Sequence, residues 1–121
     1  RVRYCNIDYD REIAIVAELT EDGRRKILGV VRVPIEPDKK TGEIAVIVAD
    51  PLQGLGLGSK MVDYTIEICK DKKLETIYGF MLRDNYRAIN LLKKMGFTIE
   101  YLGNGTVKGT LNLKEEQKTS V

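Results

Sequence analysis

Three glycines at alternate positions form the stretch of this sequence whose residue types are most suggestive of chemistry. Gly54, Gly56 and Gly58 follow the β-branched run 44–49 and precede an amphipathic segment. A glycine-rich turn that opens a helix after a strand exposes backbone N–H groups at the positive end of the helix dipole. We therefore predict a site for a phosphate-bearing ligand, and the alternative is a glycine-rich turn without a ligand.

The spacing of the glycines excludes two common phosphate-binding loops. A P-loop ends in Gly-Lys followed by Ser or Thr, whereas here the order is Gly58-Ser59-Lys60. A dinucleotide-binding fold needs G-x-G-x-x-G directly after its strand, and here residues 50–53 intervene. The pattern Gln/Arg-x-x-Gly-x-Gly/Ala fits residues 53–58, and it resembles the pyrophosphate-binding motif of the GNAT superfamily, the acyl-CoA-dependent N-acyltransferases.

A second motif lies downstream, beyond one predicted strand. Asn85 and Ala88, followed by Gly96-Phe97, are similar to the other GNAT signature, Asn-x-x-Ala-aliphatic and then Gly-Phe. Capping and packing explain these residue types individually, because asparagine caps helices and glycine ends them. They do not explain why both motifs occur in order with a strand between them. The resemblance covers about residues 13–113.

The elements around the motifs follow from the apolar pattern, since β-branched alternation predicts strands and apolar residues at helical spacing predict helices. One helix is predicted after Gly58 to about Lys70 or Asp71, and a second from Asp84-Asn85 to Gly96. Residues 6–12 are predicted as a turn or a helix end, and residues 21–23 as a hairpin turn. Predicted strands cover residues 13–19, 27–33, 44–49, 76–82, 97–102 and 107–113.

Length and composition set further bounds. The 121 residues suit one domain, predicted over 1–113 with a flexible tail at 114–121, and 20 basic against 18 acidic residues give no argument for a nucleic-acid or membrane partner. There is no histidine, and Cys5 and Cys69 alone cannot build a four-ligand zinc site, so no metal is expected. Two cysteines and no apolar run long enough to cross a bilayer favour a cytoplasmic setting.

The resemblance implies a fold and the kind of protein to which this domain belongs. It implies an α/β (α+β) GNAT fold, with a mixed, mostly antiparallel central sheet and helices on both faces. The segments 8–17 and 43–48 look like the acetyltransferase domain of microbial protein lysine acetyltransferases that modify acyl-CoA synthetases. The usual first strand and helix of that group precede these segments and are absent here. We therefore expect a domain fused to or excised from a larger protein, with an acyl-CoA synthetase as its protein substrate.

The resemblance also implies a reaction and its residues, with acetyl-CoA as cosubstrate and an amine as acceptor. Glu43 stands ten residues before Gln53, as the family's catalytic glutamate does, and would take the proton of the incoming ammonium. The other interpretation of Glu43 is a solvated glutamate at a strand end. The residues expected to bind acetyl-CoA are Val46, Ile47 and Val48 for pantetheine, Gln53, Gly54, Leu55, Gly56, Leu57, Gly58 and Ser59 for the pyrophosphate, and Asn85.

One departure from the family leaves the function open in part. Many members carry a tyrosine seven residues after the motif asparagine, as general acid to the leaving thiolate, and Leu92 stands there. A thiolate is a tolerable leaving group because the pKa of a thiol is about 8.5. A protein lysine is the acceptor that the resemblance favours. The alternatives are a small-molecule amine as acceptor and a non-catalytic acyl-CoA sensor.

Overall fold

The structure is a computed structural model that describes residues 2–49 and 56–114. Most of the predicted glycine turn, residues 50–55, and the predicted tail from 115 onward lie outside the described residues. In the described residues the chain forms eight strands and two helices. They are β1 (Val2–Tyr9), β2 (Glu12–Glu21), β3 (Arg24–Pro34), β4 (Thr41–Glu43), β5 (Ala45–Val48), α1 (Leu57–Asp71), β6 (Thr76–Leu82), α2 (Tyr86–Lys94), β7 (Thr98–Tyr101) and β8 (Thr106–Asn112).

These strands form two four-stranded sheets that meet at one residue. The first has the order β1-β2-β3-β5 and is antiparallel throughout. The second has the order β4-β6-β8-β7, and only its β4–β6 pair is parallel. β5 lies within the predicted strand 44–49, whereas β4 was not predicted, and the chain passes from one sheet to the other at Ile44. The predicted mixed, mostly antiparallel α+β fold is therefore confirmed.

The first strand corrects the prediction for residues 6–12. That stretch was read as a turn or a helix end because it is polar, yet residues up to Tyr9 belong to β1. β1 pairs with β2 along its whole length, with Tyr4 opposite Ala17 and Ile7 opposite Ala14. The ladder gives the polar stretch its backbone partners, which a local sequence pattern does not reveal. Only Asp10 and Arg11 form the turn.

The next turn is as predicted. Asp22 and Gly23, between β2 and β3, have φ angles of 51° and 76°. Two consecutive residues with positive φ are typical of the hairpin turn whose twist matches that of the flanking strands. An aspartate followed by a glycine meets this requirement, so the sequence alone identified the hairpin.

Both helices of the described residues pack against the same face of the sheets, whereas the prediction placed helices on both faces. They share one core, in which Met61 of α1 and Leu92 of α2 are buried with Val31, Val33 and Ile77 of the strands. The connections from β4 to β6 and from β6 to β7 join parallel strands and cross the sheet in the same direction. Right-handed crossovers then place both helices on one side.

The buried side of α2 is narrow. Ile89 and Leu92 are the buried residues of this helix, while Ala88, Leu91 and Met95 are half-buried. Gly96 follows the last helical turn with a φ of 97°, so the predicted glycine stop is confirmed.

The junction of the two sheets depends on a missing side chain at Gly42. A Cβ there would lie 2.5 Å from Cγ1 of Val33, which is fully buried. We expect Gly42→Ala to lower the free energy of unfolding by about 1–3 kcal/mol, because the packed core leaves little space for the methyl group. Urea denaturation measures this change. Gly103→Ala is the control, since a Cβ at Gly103 meets no described heavy atom within 4 Å; equal losses in the two variants would contradict the packing argument.

Candidate active site

The strands β4 and β6 run together and then separate. Gly42 is opposite Ile77 and Glu43 is opposite Tyr78 in the parallel pair, and the backbone N–H of Ile44 donates to the Tyr78 carbonyl at 2.7 Å. From Ala45 onward the chain pairs with β3. We call the point around Ile44 the vertex and the space that opens between β5 and β6 the gap. The two strands therefore splay apart from the vertex onward.

A glycine on β6 allows the close contact at the vertex. A Cβ at Gly79 would lie 2.9 Å from the carbonyl oxygen of Ile44 and 3.0 Å from its Cγ2. Any larger residue would force β6 away from Ile44, so the gap would begin earlier along the strands. Gly79 therefore fixes where the two strands separate.

The ladder between β5 and β3 decides which backbone groups are directed toward the gap. The N–H of Ala49 donates to the Leu28 carbonyl at 3.0 Å, and Ile47 is opposite Val30 two residues earlier. Antiparallel pairs alternate, so the backbone of Ile47 is directed toward β3 and that of Val46 and Val48 toward the other edge. Of the three residues predicted to pair with pantetheine, two thus have the required backbone direction, and Ile47 instead has a largely exposed side chain.

Helix α1 begins beside β5. Its N-cap is Gly56, with a φ of 83°, and no described side chain caps the first turn. The N–H groups of the first turn have no partner within the helix and lie at its positive end. A Cβ at Gly58 would lie 3.3 Å from Cδ2 of Leu91 and 3.9 Å from Cγ2 of Val48, so this glycine lets the helix start close to α2 and β5.

The other predicted residues of this turn differ in whether the structure describes them and in how buried their side chains are. Gln53, Gly54 and Leu55 lie outside the described residues. The side chain of Leu57 is buried in the core, so only its backbone is available to a ligand, and Ser59 is half-buried. The described part of the turn therefore contributes backbone N–H groups, as predicted, and does not contribute charged side chains.

Asn85 and Leu92 both have structural partners. The Asn85 Oδ1 accepts a hydrogen bond from the Ala88 N–H at 3.2 Å, so this side chain caps α2. Leu92 is buried, and a Cβ at Gly109 would lie 3.0 Å from its Cδ1. The position at which related enzymes carry a tyrosine is therefore filled by a core residue that contacts β8.

Two carboxylates flank one tyrosine beside the vertex. Glu43 is exposed and lies directly opposite Tyr78 on the neighbouring strand. The Tyr78 hydroxyl donates to Oε2 of Glu36, a half-buried residue in the segment that leads into β4. This hydrogen bond, together with burial and the charges of Glu36 and Glu43, raises the pKa of Tyr78 from 10.0 to about 12. The tyrosine is therefore a neutral hydrogen-bond donor at physiological pH.

Sequence reasoning did not single out three further groups at this place. Phe80 lies two residues after Tyr78, and the two rings meet edge to face with centroids 5.8 Å apart. The Lys108 ammonium of β8 lies 5.1 Å from the Tyr78 ring centroid and 5.8 Å from that of Phe80. Glu36 is the third group. The alternation of aromatic residues in β6 was a signal for Phe80, but only the pairing of β6 with β8 brings Lys108 to the rings.

Within residues 2–49 and 56–114, no group of three or more histidine, cysteine, aspartate or glutamate side chains could hold a metal ion. None of the helices in that same part of the chain is long and apolar enough to span a bilayer.

The hydrogen bond between Tyr78 and Glu36 gives a measurable titration. Because the pKa of Tyr78 in the folded protein exceeds its ordinary value, the bond stabilises the fold below pH 10 and this contribution is lost as the pH rises through about 12. We expect Glu36→Gln to lower the pKa of Tyr78, since the charged acceptor is removed. Tyrosinate absorbance, with Tyr78→Phe subtracted, measures the change. Glu75→Gln is the control, and the same titration in all variants would contradict the assignment.

Comparison with known proteins identifies the family. The model of the acetyltransferase (GNAT) family matches residues 2–97. An acetyltransferase of Pseudomonas aeruginosa is 29% identical over 92 residues, which are 76% of this chain and 50% of that protein. The chain thus spans half the length of this curated relative.

Solved structures agree on the fold. The GNAT domain of the PAT protein of S. lividans matches with a TM-score of 0.73 and 19% identity, over 87% of this chain and 64% of that one. The structure of yncA from Salmonella typhimurium, solved with its cofactor acetyl-CoA, matches with a TM-score of 0.71 and 20% identity, over 85% and 65%. With the splayed strands, the glycine N-cap and a family match over most of its length, this chain belongs to the GNAT acetyltransferase family.

Proposed function

We propose that this domain transfers the acetyl group of acetyl-CoA to the side-chain amine of a protein lysine. The observation that carries the proposal is the gap between β5 and β6, with a glycine-capped helix at one end and Glu43 at the vertex. Family membership makes acetyl-CoA the expected cosubstrate. The proposal adds the acceptor, the base and the position of each part of the ligand.

The gap suits the pantetheine arm, which carries amide groups along its length. Backbone groups of Val46 are directed toward that space, so they can pair with an amide of the arm, which then lies beside β5 as an extra strand. The first-turn N–H groups of α1 then receive the pyrophosphate, because they are oriented donors at the positive end of the helix. This arrangement places the thioester at the vertex, where a backbone N–H can stabilise the charge that develops on its carbonyl oxygen.

Glu43 is the proposed general base. A lysine amine has a pKa of about 10.4 and is mostly protonated at neutral pH, so a proton must leave before or during attack. Glu43 is exposed and is the last residue of β4, directly before the vertex. Its carboxylate can take the proton directly or through water. The amine then attacks the carbonyl carbon, and the carbon–sulfur bond breaks to release the thiolate. The second proton of the attacking nitrogen passes to the thiolate or to water, which leaves a neutral amide.

The accessibility of the site supports a protein as the acceptor. Phe80 and Leu82 follow the vertex on β6 and are 49% and 67% exposed, and they lie on the face of the sheet opposite the helices. An open apolar surface around the reacting position admits a lysine that is attached to another protein. The sequence resemblance to protein lysine acetyltransferases favours the same acceptor.

The glycine turn provides a test for the cosubstrate. We expect Gly56→Ala and Gly58→Ala each to weaken acetyl-CoA binding at least tenfold, or about 1.4 kcal/mol, because Gly56 has a positive φ and a Cβ at Gly58 would crowd the helix start. Calorimetric titration measures the affinity. Pantetheine lacks the pyrophosphate, so its weaker binding should change much less, and Gly103→Ala should leave both ligands unaffected. Wild-type affinity in both glycine variants would refute the site.

Replacing Glu43 tests the base. Glu43→Gln keeps the shape of the side chain but removes the proton acceptor, and we expect kcat/KM on a lysine peptide to fall by about 10²–10⁴-fold with acetyl-CoA affinity nearly unchanged. The defect should shrink as the pH rises toward the pKa of the acceptor, because a neutral amine needs no base. Steady-state rates across pH measure this dependence.

Two outcomes would contradict parts of this proposal. Glu21→Gln, at the exposed end of β2, serves as the control and should retain wild-type rates. Wild-type activity in Glu43→Gln would assign the proton to another group or to water. Acetyl-CoA binding without transfer to any lysine peptide or small amine would favour the sensor function instead.

A further inference from the structure

We propose that the half-buried ring of Tyr78 and the exposed ring of Phe80, anchored by Glu36, bind the alkylammonium group of the acceptor, and that Lys108 occupies this place when no acceptor is bound. The inference rests on the proposed function for the location of the thioester. It adds the residues that recognise the acceptor and the chemical class that they select. We call Tyr78, Phe80 and Glu36 the ammonium platform.

The strand register assembles the platform. Tyr78 and Phe80 project from one face of β6, because side chains two residues apart lie on the same side of a strand. That face is opposite the packed helices, and the intervening Gly79 lies on the buried side. Lys108 is the direct partner of Phe80 in the β6–β8 ladder. Its ammonium reaches back across Phe80 to the ring of Tyr78.

The electrostatics of the platform favour a cation. An ammonium over the face of an aromatic ring is attracted by the ring quadrupole. The hydroxyl of Tyr78 donates to Glu36, so a carboxylate is held at the far edge of the ring, and Glu43 lies opposite the same residue on β4. The Lys108 ammonium lies 5.1 Å and 5.8 Å from the two ring centroids, so an ammonium on a flexible alkyl chain fits this position. It is therefore an internal analogue of a lysine acceptor.

The platform lies at the right place to deliver an amine. Adjacent strands are about 4.8 Å apart, so an ammonium above Tyr78 is one strand away from Glu43. An incoming lysine would displace Lys108, place its ammonium on the rings and lay its methylene groups along Phe80. Transfer of its proton to Glu43 removes the charge that the platform binds, which releases the neutral amine toward the vertex.

This arrangement defines the class of acceptor. It selects aliphatic primary amines that are cationic at neutral pH and are carried on an extended apolar chain. Aromatic amines are neutral at that pH, so they lack the cation–π attraction to the rings and the ionic attraction to the carboxylates. The half-exposed face of Phe80 also admits an acceptor that is attached to a folded protein.

A non-reactive ligand separates this inference from the proposed function. Nα-acetyl-Nε-trimethyllysine amide keeps the cation but cannot be acetylated, and Nα-acetylnorleucine amide has a similar apolar chain without charge. We expect the first compound to inhibit acetylation of a lysine peptide competitively and to bind in a direct titration. The norleucine compound should do neither. Equal binding of the two compounds would overturn the proposal.

Variants assign the site. Phe80→Leu should raise the Kd of the trimethyllysine compound and the KM of the lysine peptide about three- to tenfold, or about 0.7 to 1.4 kcal/mol, with kcat and acetyl-CoA affinity unchanged. Lys108→Gln should lower both constants, because it removes the internal competitor. Tyr101→Leu is the matched control. Tyr101 is an exposed aromatic residue, and its ladder partner Val107 is buried on the face of the sheet opposite the platform.

The results of these measurements distinguish failure of the platform from failure of the transferase function. Unchanged constants in Phe80→Leu, or a higher KM in Lys108→Gln, would overturn the platform even if acetyl transfer proceeds. Selective binding of trimethyllysine that depends on Phe80, in a protein that acetylates no amine, would support the platform and refute the transferase function.

Discussion

The structure depends on one short stretch of backbone, residues 41–48, whose hydrogen-bonding partner changes from one strand to another. Residues 41–43 are hydrogen-bonded to β6, whereas residues 45–48 are hydrogen-bonded to β3, and Ile44 makes the last bond to Tyr78 between the two ladders. Buried backbone groups must be paired, so a strand that leaves a neighbour also leaves backbone polar groups along the opening. A ligand that carries amides can satisfy such groups, which is why the opening suits a pantetheine arm.

Small residues keep this junction tight. A Cβ at Gly42 would meet Val33, one at Gly79 would meet the Ile44 backbone, and one at Gly58 would meet Leu91. Gly42 and Gly79 allow the strands to pack closely up to the vertex. Gly58 allows the start of α1 to lie close to the far end of β5. Gly58 was predicted as a residue of the phosphate site, and the structure gives it a packing role as well.

The two faces of the sheet have different physical roles. One face is covered by both helices and contains the core. The other carries exposed apolar side chains, among them Ile47 and Phe80, and the carboxylates near Tyr78. With α1 and α2 on the covered side, the proposed cosubstrate site and the open face meet at the vertex. A reaction between a bound thioester and an external amine requires such a meeting point.

The sequence alone determined the features that depend on local chemistry. The hairpin at Asp22-Gly23, the Asn85 cap, the Gly96 stop and the extent of β6 follow from φ requirements, side-chain capping and alternation, which involve only near neighbours. The two motifs also indicated the family from the sequence alone. Glu43 and the glycine turn were therefore available as candidates from residue types and spacing.

Only the tertiary structure decided what depends on pairing between distant segments. The polar stretch before Tyr9 became a strand because β2 supplies its hydrogen bonds, and β4, which was not predicted, exists because residues 41–43 pair with β6 just before residues 45–48 pair with β3. Both helices lie on one face because their crossovers run in the same direction. Glu36 and Lys108 reach Tyr78 from positions 42 and 30 residues away in the chain, a proximity that no local pattern encodes. Long-range backbone pairing sets these contacts, and it is decided by the whole sheet rather than by any single segment.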